Sequence, residues 1–278
     1  MKLDVLICTL NEGITRLPEV LIEPREDVKY IVSMQYTDEV FLQQIPTILH
    51  ERCDVQLVTL PGKGLSRNRN NAMRHASADI AIIADDDVRY KDEYFDRIIA
   101  TFKQNKTLDI AQFKIKSTDN RPVKNYPNHT YNYPDVPKGM YATSPEIAFR
   151  VSSVQGKLYF DERFGLGSSH FICGEEEIFF HDAYRLKLNI TYFPHYVVEA
   201  PSSSTGARTY TDEQVMMAKG AMHYYLHGWS AWLRMFKFAI VSAIHHRGSF
   251  VQLLQGTFKG IYHYKKIVRY ENVCWGIL

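Results

Sequence analysis

Ile80-Ala81-Ile82-Ile83-Ala84-Asp85-Asp86-Asp87-Val88 is an apolar run that stops abruptly at three carboxylates. Upstream, Leu3–Thr9, Lys29–Met34 and Asp54–Thr59 are similar short apolar runs, and Asp79–Ala84 completes a set of four strand candidates. Between them, Arg16–Ile22, Thr37–His50 and Ser66–His75 have the mixed polar and apolar spacing of helices, the last opening on a serine suited to cap it. Strands alternating with helices build a mostly parallel sheet of doubly wound type, and such sheets bind ligands beyond the carboxyl ends of their strands. The aspartate trio stands at such an end.

The rest of the chain extends this pattern. Asp92–Gln104 reads as a helix and Leu108–Lys116 as a strand, followed by a Pro-rich loop over Ser117–Met140. Glu146–Val151 and either Thr191–Phe193 or Tyr196–Glu199 read as strands, with Glu175–Leu188 a helix between them. Pro201–Gly206 reads as a hinge-like loop. Beyond it, Asp212–His227, Trp229–His246 and Phe250–Tyr270 form three helix candidates separated by Gly228 and Gly248. With 278 residues, 45% hydrophobic and 23% charged, the chain has a globular composition, which excludes disordered and collagen-like classes. Four cysteines without a C-x-x-C pair argue against a disulfide scaffold or structural zinc site. Met1-Lys2 runs straight into Leu3–Ile7 without a signal-peptide pattern, so a reducing, cytoplasmic setting is expected.

Adjacent carboxylates repel one another, and three of them at a strand end call for cationic partners. Hard oxygen ligands favour Mg²⁺ or Mn²⁺, which commonly bridge a carboxylate to phosphates, so a nucleotide diphosphate is the expected guest. The alternative is a solvated acidic turn ahead of the Asp92 helix. Pro61-Gly62-Lys63-Gly64-Leu65-Ser66-Arg67-Asn68-Arg69-Asn70 places glycines and cations at a strand-to-helix junction, an arrangement suited to anions. Glu175-Glu176-Glu177 opens a helix, where one carboxylate is a candidate general base. Its alternative is an acidic first turn that complements the helix dipole.

Cys8-Thr9-Leu10-Asn11-Glu12, Gly64-Leu65-Ser66 with Arg69-Asn70, Asp85-Asp86-Asp87, Phe160-Asp161-Glu162-Arg163-Phe164 and Gly174-Glu175-Glu176 occur in an order that resembles the family 2 glycosyltransferases of GT-A fold. The resemblance covers roughly residues 1–205. It implies inverting, metal-dependent transfer of a sugar from a nucleotide-diphosphate donor, most simply a UDP-sugar, in bacterial polysaccharide-type synthesis. On that resemblance residues 1–116 form the donor half, 117–205 the acceptor half, and 211–278 a basic aromatic helical extension.

Carried over by position, the resemblance implies that Thr9, Asn11, Glu12, Gln35, Lys63, Arg69, Asp85 and Asp86 line the donor site. Asp87 and Asp85, with Glu199, are the implied metal ligands, and Glu176 or its neighbour Glu175 the implied base. Gln35 replaces the aspartate that the family usually places at the end of the second strand. Glu199 stands nearest to a position where the family often has histidine. A sugar-nucleotidyltransferase is disfavoured because Leu10-Asn11-Glu12-Gly13 holds one glycine where a Gly-rich phosphate loop is required. A noncatalytic nucleotide-sugar-binding or membrane scaffold protein is the rival of another class.

The stretch 215–269 contains no Asp or Glu but eight cations: Lys219, Arg234, Lys237, Arg247, Lys259, Lys265, Lys266 and Arg269. All three tryptophans, Trp229, Trp232 and Trp275, fall in the last fifty residues. Its longest uncharged run, Gly220–Leu233, is shorter than the ~18–20 residues that cross a bilayer. A basic aromatic helix of this kind suits peripheral contact with anionic lipid at the inner membrane face through residues 214–270. Packing on the catalytic domain or on a second subunit, as a homodimer, is the alternative. No nucleic-acid recognition signature accompanies the basic stretch. His223 and His227, four apart without a third ligand, read as packed side chains. The expected partners are a nucleotide sugar and a glycan or lipid-linked acceptor.

Overall fold

In the computed structural model, residues 1–119, 121–202 and 208–274 are described, with side chains through residue 269. The first four strands are β1 (Leu3–Leu10), β2 (Val28–Tyr36), β3 (Val55–Pro61) and β4 (Ile80–Asp85). β5 (Ile110–Ser117), β6 (Tyr131–Asn132), β7 (Ile147–Arg150) and β8 (Ile190–Ala200) complete an eight-stranded sheet ordered β3-β2-β1-β4-β7-β5-β8-β6. β1 pairs in parallel with both β2 and β4, β2 with β3, and β5 with β8. β7 is inserted antiparallel between β4 and β5, and β6 runs antiparallel along β8.

The central strands are apolar on both faces because both faces are covered. Leu3, Val5 and Ile7 pack on one side with Phe95, Ile98, Ile99 and Phe102 of helix α2 (Asp92–Gln104). Leu6 and Cys8 alternate to the other side, with Ala72 and Met73 of helix α1 (Leu65–His75) and with Phe179, Phe180 and Ala183 of helix α3 (Glu175–Arg185). Each fully buried Leu, Ile or Phe contributes about 1.5–3 kcal/mol, so these two layers hold the strand order. The register then sets the functional edge. Cys8 pairs with Asp85, Leu10 with Gln35 and Tyr36 with Pro61, so β1 to β4 end beside one another.

Several expected elements differ. Thr37–His50 is not one helix but a 3-10 segment, Glu39–Gln44, and a single turn, Ile48–Glu51. Pro46 lies between them and excludes a continuous helix, since it lacks the N–H and restricts the residue before it. Arg16–Ile22 is likewise reduced to a 3-10 segment, Asn11–Arg16, and the turn Leu17–Val20. Ser66 does not cap α1: Gly64, at φ +131°, holds that position and Ser66 is buried as the second residue of the helix. The two alternatives within 191–199 are one strand, β8, which continues through Pro194 where its pairing with β5 shifts register. A proline is tolerated at such an irregularity because no ladder N–H is required of it. The Pro-rich stretch is mainly loop, with β6 its one paired segment among the described residues. Of the hinge-like Pro201–Gly206, residues 203–206 lie outside the described residues, as does Trp275.

The chain divides into two compact units, residues 1–160 with 179–202, and residues 161–178 with 203–278. The second contains helices α4 (Glu213–His227), α5 (Ala231–Ile244) and α6 (Phe250–Cys274). Asp212 caps α4 by accepting from the Gln214 N–H at 2.9 Å. α4 and α6 cross with their backbones nearly touching: a Cβ on Gly220 would stand 1.9 Å from the Thr257 carbonyl oxygen, and one on Gly260 1.9 Å from that of Met217. Phe164, Phe171 and Ile178 share an apolar cluster with Ala218, Ala221, Met222 and Tyr264. His223 is packed, as expected, and burial drives its imidazole down to about 3, which keeps it neutral.

Candidate active site

The ends of β1 and β4 are joined by the middle carboxylate of the trio. Thr9 Oγ1 donates to Asp86 Oδ2 at 2.5 Å, and Arg16 Nη2 donates to Asp86 Oδ1 at 2.6 Å. Both oxygens of Asp86 are thereby engaged, and its charge is offset by Arg16. The bracket closes over Gly13, where an added Cβ would lie 2.2 Å from Asp86 Oδ2 and 2.5 Å from Thr9 Oγ1. Only glycine fits there.

The flanking carboxylates have different surroundings. Asp85 Oδ1 lies 3.4 Å from Arg69 Nη2, whose side chain is 3% exposed and whose guanidinium sits 5.4 Å from the centre of the Phe160 ring. Asp87 is accessible to solvent, yet crowding protein atoms and the adjacent Asp86 charge raise its carboxyl above the ordinary range. Arg16 partly offsets that shift.

Helix α1 holds the site through a run of buried amides. Asn68 Nδ2 donates to the Thr9 carbonyl at 2.9 Å, and Asn71 Nδ2 to Ser33 Oγ at 2.8 Å. Asn70 bridges to the backbone of Phe160 in both directions, donating to its carbonyl at 2.9 Å and accepting from its N–H at 2.8 Å. Ahead of the helix, Gly62 and Gly64 both take positive φ, and Lys63 is exposed between them. At the end of β2, Gln35 is 2% exposed and its Nε2 has no hydrogen-bond partner among the described residues. Asn11, at φ +52°, accepts from the Thr37 N–H at 2.9 Å through Oδ1, while Glu12 is exposed.

Thr9, Asn11, Glu12, Gln35, Lys63, Arg69 and Asp85 to Asp87 thus lie at or beside the carboxyl ends of β1 to β4. Glu199 lies at the end of β8, and its charge is already committed. It accepts from Lys91 at 2.7 Å, Lys116 at 3.2 Å and the Tyr94 hydroxyl at 2.8 Å. The hydrogen bond from Lys91 leads the effects that draw its carboxyl down to about 2. No group of three or more His, Cys, Asp or Glu among the described residues is placed to hold a metal ion. Glu175 and Glu176 stand in the first turn of α3, within the second unit, the former buried and the latter partly exposed.

Sequence alone assigns no role to Arg16 or to the close fit at Gly13, and marks Asn68 and Asn70 only within the Gly-rich junction and the Arg69-Asn70 pair, not as the amides that hold the site. For Asn68 and Asn70 the signal was an asparagine-rich helix start, costly in helix propensity unless the amides have partners, as they do here.

The chain matches the family model described as glycosyl transferase family 2 over residues 4–160. No curated protein matches it in sequence. Among solved structures it resembles that of S. aureus TarS with 19% identity and a TM-score of 0.55, covering 89% of this chain but only 43% of the TarS chain. S. aureus TarS 1-349 in complex with UDP aligns with 17% identity and a TM-score of 0.57, over 99% of this chain and 92% of the other. The complex of TarS 1-349 with UDP-GlcNAc gives 17% identity and a TM-score of 0.56 over the same shares. At these identities the likeness identifies the fold as GT-A. Since the family match spans more than half of the chain, this protein belongs to glycosyl transferase family 2.

Proposed function

We propose that the chain transfers a sugar from a nucleotide-diphosphate donor, a UDP-sugar first among them, to the hydroxyl of a glycan or lipid-linked acceptor, with inversion at the anomeric carbon. The observation that carries this reading is the alignment of β1 to β4, which gathers two cation–carboxylate pairs, the solvent-edge Arg16–Asp86 and the Arg69–Asp85 pair with its buried guanidinium, directly ahead of Asp87 in the chain's aspartate trio. The UDP and UDP-GlcNAc held by S. aureus TarS structures support the donor class.

In this reading Gln35 and Asn11 receive the nucleotide base, and the Gly62-Lys63-Gly64 turn with Arg69 faces the phosphates. Gln35 offers a buried, unpartnered amide donor for a base carbonyl. Asp85, oriented by Arg69, contacts the ribose or donor sugar. The acceptor oxygen attacks the anomeric carbon as the bond to the diphosphate breaks. Glu176 takes the acceptor proton, with Glu175 beside it. The charge that develops on the diphosphate is what the site must stabilise, and preorganised cations do so without reorganisation.

The donor set fits a hard divalent cation, Mg²⁺ or Mn²⁺. Asp87 offers an accessible carboxylate that burial and Asp86 penalise as an anion, and a cation beside it would relieve that penalty. Asp87 with Asp85 would hold it, leaving its other positions to water and phosphate oxygens. When bound, such an ion neutralises phosphate charge. Glu199 is omitted from this set because its carboxylate serves Lys91 and Lys116.

Titration calorimetry with UDP and Mn²⁺, beside a transfer assay over a panel of nucleotide sugars, tests the assignment. Asp87→Ala is expected to abolish both transfer and metal-dependent UDP binding. Glu176→Gln should abolish transfer while leaving UDP binding within about twofold. Equal loss of UDP binding in both variants would refute the division of roles.

A further inference from the structure

Helix α5 has two faces of opposite character. Ala231, Met235, Ala239 and Ser242 are buried. On the other side, Leu233, Phe236, Ile240 and Ile244 are exposed, and so is Trp229 in the 3-10 turn Gly228–Ser230 just ahead of the helix, with Trp229 at 75%, Leu233 at 76% and Ile244 at 67%. The spacing of three and four residues places Leu233, Phe236, Ile240 and Ile244 on one stripe, which extends over roughly 17 Å at ~1.5 Å per residue. Scattered apolar side chains on a surface need no explanation, but a continuous apolar stripe does.

The charges beside the stripe say what covers it. Arg234 and Lys237 are exposed along one flank, and Arg247 is exposed just past its end. No carboxylate occurs anywhere in 215–269. An occupant must therefore be apolar beneath the stripe and anionic along its margin. Trp229 at one end supplies the amphipathic ring that favours the boundary between acyl chains and headgroups.

We propose that α5, with the turn ahead of it, lies in the headgroup region of an anionic lipid bilayer, burying Trp229, Leu233, Phe236, Ile240 and Ile244 while Arg234, Lys237 and Arg247, just past the helix end, contact lipid phosphates. No helix among the described residues is long and apolar enough to cross a membrane, so this contact is peripheral. The inference goes beyond the transferase reading and does not depend on it.

Co-sedimentation of the full chain with vesicles tests it. Binding is expected to phosphatidylglycerol-containing vesicles and at least tenfold less to pure phosphatidylcholine, with added salt weakening the former. Leu233→Gln with Ile244→Gln should lower the partition coefficient at least tenfold, while Arg234→Gln and Lys237→Gln should each lower it about fivefold on anionic vesicles. All four positions are exposed, so circular dichroism melting should be unchanged and a folding defect is distinguished from lost contact. The Trp229 emission should shift to the blue on anionic vesicles, read against Trp229→Phe. The proposal is overturned if the doubly glutamine-substituted chain binds vesicles like the parent, or if no vesicle is bound. It is also overturned if the stripe instead forms a lipid-independent dimer that this double substitution dissociates.

Discussion

At the residue scale, the aspartate trio separates into three roles because its neighbours differ. Asp86 is spent on the Thr9–Arg16 bracket, Asp85 on Arg69, and Asp87 alone is left accessible, its carboxyl raised, without a paired cation among the described residues. The motif was legible in sequence, but this division was not, because it depends on the remote Thr9 and Arg16. Gly13 gives the sharpest test of the bracket. Gly13→Ala must push a methyl into Asp86 and Thr9, so transfer is expected to fall at least tenfold, with weaker UDP binding in calorimetry. Parent-like values would show that the bracket is dispensable.

Glu199 makes a separate prediction about acid stability. Its folded carboxyl is held at about 2 against an ordinary 4.5, so the unfolded chain binds the proton more readily. The stabilisation is present in full above about pH 4.5 and is lost as pH falls towards 2. Glu199→Gln should therefore flatten stability over that interval in acid-titrated urea denaturation. An unchanged slope would refute the contribution of its lysine contacts.

Elements were most legible where one rule governed a whole segment. β1, β2 and β4 are buried on both faces and β3 is half-buried at the sheet edge, and their apolar runs mark all four to within two residues of the observed ends. The reading failed where a single residue outweighed composition, as Pro46 did between Gln44 and Ile48, or where tertiary pairing carried β8 across Pro194. The α4–α6 crossing is the same kind of case. Glycines at 220, 256 and 260 in helical segments look like weak points until the partner helix is present. Once it is, Gly220 and Gly260 permit the backbone contact and Gly256 makes room for the Met216 side chain. Gly260→Ala gains intrinsic helix propensity yet drives its Cβ into the Met217 carbonyl, which cannot move as a flexible side chain would. A net loss of about 1–3 kcal/mol is expected in chemical denaturation. A stabilised variant would mean that the helices separate at little cost.

For the whole molecule, the same edge that joins β1 to β4 predicts where a donor should quiet the backbone. Ligand binding to the folded state stabilises it by about 2.7 kcal/mol at a hundredfold excess over Kd, and local opening is suppressed most where contacts form. UDP with Mn²⁺ should slow amide exchange at residues 10–16, 62–70 and 85–89, which come from three separate stretches of chain. Residues 229–244, within the second unit, should exchange as before, because the lipid contact assigned to them makes no demand on the donor. A chelator should remove most of the protection at 85–89 but spare part of that at 62–70, since Arg69 and the glycine turn meet phosphate without help from an ion. Asp87→Ala should reproduce the chelator pattern in the presence of Mn²⁺. Protection confined to one of the three stretches would mean that they do not act on a common ligand, and the transferase site would then have to be sought elsewhere on the sheet.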